Sequence, residues 1–218
     1  MLNRIPTLIE EEGLRAQGYR FIAGIDEAGR GPLAGPVVAS AVILPLEERP
    51  AWLSLVRDSK VLTQPRREFL FDCMVCDGVV FGVGVVSHEV IDNQGIIAAT
   101  RLAMRYATQR LLIQPDYLLI DAVKLTEIKL PQKSIIKGES ISISIAAASI
   151  IAKVTRDRLM ERLDGLYPGY GLAQHKGYST PEHIEALQRL GPCPIHRRSF
   201  APVQGCQGSF RARGLRVD

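Results

Sequence analysis

Apolar residues in this chain come in short blocks bounded by glycine, proline or charge, and the spacing inside each block predicts its element. Residues 5–18 carry the pattern of a short amphipathic helix ending near Gly18. Residues 20–26 and 36–44 are rich in Val, Ile and Ala and predict two strands, antiparallel because the link between them is short. Thr63-Gln64-Pro65 opens a helix of about three turns, with a capping residue followed by an early proline. Residues 78–87 predict a third strand, and its glycines predict a close approach of backbone or ligand. A long helix is expected over 96–112, with Ile97, Leu102, Tyr106 and Leu112 among its apolar positions. Residues 115–121 are apolar on both faces, as in an interior parallel strand, and they end in Asp121. A fifth strand is expected at 132–138. The helix predicted over 141–164 begins with small residues that allow tight packing and turns charged from Lys153. Ser179-Thr180-Pro181-Glu182 caps another helix, which ends near Leu190-Gly191. Three strands followed by strand–helix alternation predict an α/β fold with a mixed sheet.

Composition narrows the class without deciding the function. The 218 residues are 46% hydrophobic and 23% charged, as expected of a globular protein able to bury a full core. The formal charge is +4, and its position matters more than its size. Residues 196–218 hold five arginines (197, 198, 211, 213 and 216) against one acid, Asp218, which accounts for the whole excess. A basic arm on a neutral body suggests contact with a polyanion. The N-terminal residues lack an apolar core and carry Glu10, Glu11 and Glu12, so no secretory leader is expected. The longest nearly apolar run, Ile141 to Ala152, is too short to span a bilayer. A cytoplasmic, membrane-free and monomeric protein is the expectation. Its four cysteines then read as reduced thiols. Cys73 and Cys76 have the spacing of metal ligands, but Cys193 and Cys206 lie too far apart to form the matching pair.

The chemistry concentrates in one stretch, Ile25-Asp26-Glu27-Ala28-Gly29-Arg30-Gly31-Pro32-Leu33-Ala34-Gly35-Pro36. A buried strand has no structural use for two acids at its end, because an unpaired carboxylate taken out of water costs several kcal/mol, on the order of the penalty for any buried ion. Acids there are paired, hydrogen-bonded or hold a cation. Side chains adjacent on a regular strand point to opposite faces, so Asp26 and Glu27 share an ion only if the backbone turns. Gly29 and Gly31 supply such a turn, and also room for a ligand to come close to Arg30. The spacing of Gly29, Gly31 and Gly35 is one residue too long for the dinucleotide fingerprint, and no Gly-Lys-Ser/Thr follows. Asp121, taken alone, would equally well close a turn.

These residues resemble the signature of ribonuclease HII, the family that cuts at ribonucleotides within RNA–DNA duplexes. The match runs from Asp26 through Val38, with further motifs at 118–121, 136–158 and 174–178, and spans roughly residues 20–200. The resemblance implies a ribonuclease-H-like mixed sheet of five strands flanked by helices, with a C-terminal helical lobe. The match covers a catalytic domain over 20–200 that includes this lobe; outside it, residues 1–19 read as an N-terminal helical extension and 201–218 as a basic flexible tail. Asp26, Glu27 and Asp121 take the place of the family's metal ligands and catalytic acids, for Mg²⁺ or Mn²⁺, with two ions in the active complex. Hard cations of this kind prefer carboxylate oxygens. The family's fourth carboxylate is normally an aspartate; here Lys137-Gly138-Glu139 offers a glutamate, with one more methylene. Glu139 is expected to be catalytic, the alternative being an acid that only favours the following helix dipole.

Gly29-Arg30-Gly31 matches the loop that senses the ribonucleotide, since backbone amides can hydrogen-bond a 2′-hydroxyl. Tyr178 matches the tyrosine that packs on a sugar beside the scissile bond; without the resemblance it would read as an ordinary core or surface tyrosine. Lys60 and Lys176 are candidate substrate contacts, and Lys153, Arg156, Arg197 and Arg198 candidate phosphate contacts. Gly95 stands where many family members carry asparagine, with Asn93 the nearest substitute. The expected activity is metal-dependent hydrolysis on the 5′ side of a ribonucleotide, in RNA–DNA hybrids or in DNA duplexes with embedded ribonucleotides, leaving a 3′-hydroxyl and a 5′-phosphate. The alternative is a hybrid-binding protein in which the glutamate at 139 has disabled the chemistry.

Overall fold

The computed structural model describes residues 5–206. Its five strands are β1 (Ile22–Ala28), β2 (Val37–Ile43), β3 (Val80–Val86), β4 (Tyr117–Asp121) and β5 (Gln132–Ile135). They form one sheet in the order β3-β2-β1-β4-β5. The short link through Pro32 makes β1 and β2 antiparallel, β3 adds to β2 the same way, and β4 and β5 run parallel to β1.

Strand alternation sends two apolar sets to two layers. On one face Ala23, Ile25, Val37, Ala39, Ala41, Leu118 and Ile120 pack against Ala99, Ala103, Met104 and Ala107 of α4 (Ile96–Gln109). On the other, Val42 meets the small residues Ala146, Ala147 and Ala148 of α5 (Ile143–Leu166), and α2 (Gln64–Cys76) adds Leu70 and Met74. The β3 glycines serve the first contact: a Cβ on Gly84 would lie 1.9 Å from the Ala103 carbonyl oxygen, and one on Gly82 would lie 2.1 Å from that of Ala107. Gly24 does the same for α5, where a Cβ would sit 2.1 Å from the Ser144 carbonyl carbon. The close approach expected at β3 is therefore one of backbone to helix.

The N-terminal extension is built into this body. In α1 (Ile9–Ala16), Leu14 is buried against Ile22, Leu119 and Ile145. The Glu11 carboxylate, fully buried, accepts hydrogen bonds from Ser142 Oγ, Ser144 N and Ser144 Oγ at the start of α5. Beyond α5 the lobe contains α6 (Leu172–His175), α7 (Pro181–Leu190) and α8 (Ala201–Gln204). The sequence pattern did not predict α3 (His88–Gln94), which offers only one buried residue, Ile91, and so no apolar stripe. Gly95 separates α3 from α4 with φ 81° and ψ 158°, a backbone region open essentially only to glycine. An asparagine at this position would be strained in this backbone. Residues 201–206, assigned to a flexible tail, instead include α8, anchored by buried Val203 against Leu33 and Leu187. The arginines at 211, 213 and 216 lie outside the described residues.

Candidate active site

The register of the sheet assembles the acids. Ile25 pairs with Ile120, so the next residue on each parallel strand brings Asp26 level with Asp121. Both follow residues that face α4, and both therefore turn toward the start of α5. Asp121 in turn pairs with Ile135, and the chain leaving β5 passes through Lys137, at φ 56°, into a one-turn 3₁₀ helix, Gly138–Ser140. That turn delivers Glu139 to the same corner.

Asp26 and Glu27 are not placed after the strand, as the sequence suggested; β1 runs on to Ala28. They nevertheless share a site. Asp26, Glu27 and Asp121 each bring a carboxylate oxygen within 4.8 Å of the others. No β4 residue lies beside Glu27, because β4 ends at Asp121, so the strand edge is open to its longer side chain. The Glu27 amide donates to Asp26 Oδ1 (2.7 Å), Gly138 N donates to Asp121 Oδ1 (2.7 Å), and Arg30 Nη1 donates to Glu27 Oε1 (3.3 Å).

This crowding shows in the acidities. Burial, then the charges of Glu27 and Asp121, hold Asp26 well above the usual carboxylate range. Burial also raises Glu27, against the pull of Arg30. At Asp121 burial and the charges of Glu139 and Glu27 outweigh the Gly138 hydrogen bond and lift the carboxyl to about 7. Glu139 goes the other way. Burial would raise it, but the hydrogen bond and charge of Lys60 outweigh burial and leave it lowered, with Lys60 Nζ 3.0 Å from its Oε1. Among the described residues, Glu27 Oε2 and Glu139 Oε2 are buried with no hydrogen-bond partner. Acids that repel one another and leave buried oxygens unpaired fit a divalent cation, and an all-oxygen donor set suits a hard one.

A family model described as Ribonuclease HII matches residues 23–203. The chain belongs to the ribonuclease HII family. Ribonuclease HII of Dehalococcoides mccartyi strain BAV1 is 56% identical over 200 residues, covering 92% of this chain and 94% of that one. Ribonuclease H2 from Pyrococcus horikoshii superposes with a TM-score of 0.71 at 30% identity, covering 85% of this chain and 96% of that one. The crystal structure of Bst-RNase HIII in complex with Mn²⁺ shares the fold, with a TM-score of 0.67 at 21% identity, over 84% of this chain and 68% of that one. The chain is thus a metal-dependent endoribonuclease that cleaves RNA in RNA–DNA hybrids and at embedded ribonucleotides, with Asp26, Glu27 and Asp121 as its acidic cluster.

The remaining sequence candidates divide into two groups. Gly31 lies beside Tyr178, since a Cβ on it would be 3.9 Å from the ring's Cε1. Tyr178 and the Arg30 side chain are both about two-fifths exposed, and Lys153 Nζ stands 5.8 Å from the Tyr178 ring centre. Lys60, expected at the substrate, also reaches a surface, although its head group is held by Glu139. Lys176 faces inward instead: it is buried, and Nζ is bonded to Glu161 Oε1 (2.7 Å) and to the Ala173 carbonyl. Arg156 and Arg197, expected at phosphates, are also buried, because unpaired interior carbonyls need donors and these guanidinium groups supply them. The Lys60–Glu139 pair had no signal in the sequence, its members lying 79 residues apart. Cys73 and Cys76 are free thiols on α2.

Proposed function

We propose that this enzyme hydrolyses the phosphodiester on the 5′ side of a ribonucleotide, leaving a 3′-hydroxyl and a 5′-phosphate, with two Mg²⁺ or Mn²⁺ ions in the active complex. The convergence of Asp26, Glu27 and Asp121 within 4.8 Å carries this reading. When bound, such ions activate the attacking water and stabilise charge on the phosphoryl and leaving oxygens. Asp26, Glu27 and Asp121 would hold them, and Glu139, kept ionised by Lys60, completes the acidic corner. The amides of the Gly29–Gly31 loop donate to the 2′-hydroxyl, and the half-exposed Tyr178 ring packs on the neighbouring sugar. Exposed Lys60 adds charge toward a phosphate.

The test uses two end-labelled DNA duplexes, identical except for one ribonucleotide, incubated with either metal. The expected product is a single cut on the 5′ side of the ribonucleotide, with the all-DNA duplex intact. Equal cutting of both duplexes would sink the ribose-reading role, and no cutting with either ion would sink the chemistry.

A further inference from the structure

Two buried arginines surround the Gly29–Pro36 loop, and every hydrogen bond they donate goes to a backbone carbonyl. Arg197, with no accessible surface, donates from Nη2 to Gly29 O (2.6 Å), from Nη1 to Arg30 O (2.9 Å) and from Nε to Gly35 O (3.0 Å). Arg156 donates from Nε to Pro36 O (3.0 Å), from Nη2 to Ala34 O (3.1 Å) and from Nη1 to Lys176 O (2.9 Å). Neither has an ion-pair partner among the described residues. Taking two guanidinium groups out of water without a counter-charge is costly, so their work at the loop must be specific.

The geometry of the peptide bond says what that work is. The loop has no cis peptide, and in a trans peptide the carbonyl of one residue and the amide N–H of the next point in opposite directions. With the carbonyls of Gly29 and Arg30 drawn inward to Arg197, the amides of Arg30 and Gly31 point away from the interior. Among the described residues neither amide has an acceptor. The result is two adjacent unpaired donors beside Tyr178, in the arrangement that receives an oxygen. The flanking glycines make the opposite arrangement accessible, because a glycine-flanked peptide flips readily. A flip would put a carbonyl where a donor had been. Gly29, at φ 93°, is itself shaped to the latch: a Cβ there would lie 2.0 Å from Arg156 Nε.

We infer that Arg156 and Arg197 are positioning residues for ribose recognition: they hold the Gly29–Arg30–Gly31 peptides in the one orientation that presents amide donors to the 2′-hydroxyl. Arg156 also bonds the carbonyl of Lys176, two residues before Tyr178, and so ties the amide pair and the tyrosine into one rigid unit. The inference rests on the proposed ribose-reading role of the loop.

Arg197→Lys and Arg156→Lys keep the charge but cannot span several carbonyls. Their affinity for a duplex with one ribonucleotide and for the matching all-DNA duplex would be measured with Ca²⁺ in place of the catalytic ion. The preference of the parent for the ribonucleotide duplex should fall about tenfold in each variant, the equivalent of one lost hydrogen bond. Affinity for all-DNA should stay within about twofold, since phosphate contacts are untouched. A folded variant that keeps the parent's full preference overturns the inference. If neither variant folds, hydrogen exchange in the parent decides it. The Arg30 and Gly31 amides should exchange freely in the unbound protein and become protected by the ribonucleotide duplex alone. Protection already present in the unbound protein overturns it. A parent with no ribose preference would instead refute the loop's role, whatever the variants do.

Discussion

Asp121 sits at the balance point of the acidic cluster, and its proton reports on the whole site. Its carboxyl titrates near 3.8 in an unperturbed chain and is lifted to about 7 in the fold. Between those values the folded state holds more protons, so the metal-free protein loses stability as pH rises through that window. Asp121→Asn removes that contribution. The variant should melt above its parent at about pH 8 without divalent ions, and the gap should close by about pH 4. A gap independent of pH would contradict this account. Added Mg²⁺ should raise the melting temperature of the parent far more than that of Asp121→Asn. The same change should lower cleavage by more than about 100-fold, beyond the 10–100-fold typical of groups that only orient a ligand. At Lys60 the effect is on acidity. Without its ammonium, Glu139 loses the hydrogen bond and charge that keep it lowered. Lys60→Ala should therefore move the acidic limb of the pH–rate profile to higher pH, and an unmoved limb would show that Glu139 does not govern that limb.

At the scale of elements, the site depends on where α5 begins. Ser142 caps that helix by accepting from Ile145 N, and Glu11 accepts from Ser142 and Ser144 across the chain. The 3₁₀ turn that carries Glu139 leads directly into this cap. Helix α1 thus fixes the entry to α5 through one buried carboxylate. Glu11→Ala should cost about 1–3 kcal/mol in denaturant unfolding, the range for a lost cap that leaves donors unsatisfied. A loss under about 0.5 kcal/mol would mean that water replaces the carboxylate.

At the scale of the whole molecule, the excess charge of the sequence lies in its last residues, while the rest of the chain is formally neutral. Arg211, Arg213 and Arg216 carry much of the excess charge in the sequence. Removing residues 207–218 should weaken binding to an RNA–DNA hybrid and flatten the plot of log affinity against log salt by up to about two to three units, since each neutralised phosphate contributes roughly 0.7–0.9. A slope unchanged from that of the full chain would mean that the arm is simply solvated. Among the described residues, no helix is long and apolar enough to cross a membrane.

Most of the sheet was legible in the sequence because an apolar block bounded by Gly or Pro specifies a strand through neighbouring residues alone. The acids at the ends of β1 and β4 were legible for a related reason: a charge interrupting an apolar run has few structural uses. Helix α3 was not legible, since one buried residue makes no stripe. Nor were the destinations of the basic residues. By composition Lys176, Arg156 and Arg197 belong on the surface facing phosphate, yet all three are buried. Whether a long cationic side chain meets solvent, an acid or a backbone carbonyl depends on what the fold brings beside it. For Arg197 that is a loop more than 160 residues away, and for Lys60 a glutamate 79 residues away. The acids, the glycine loop and the strands that carry them are each written in consecutive residues, so they can be read directly from the chain. Which oxygens converge and which cations turn inward depends on the folded arrangement, because register and burial couple residues far apart in the chain.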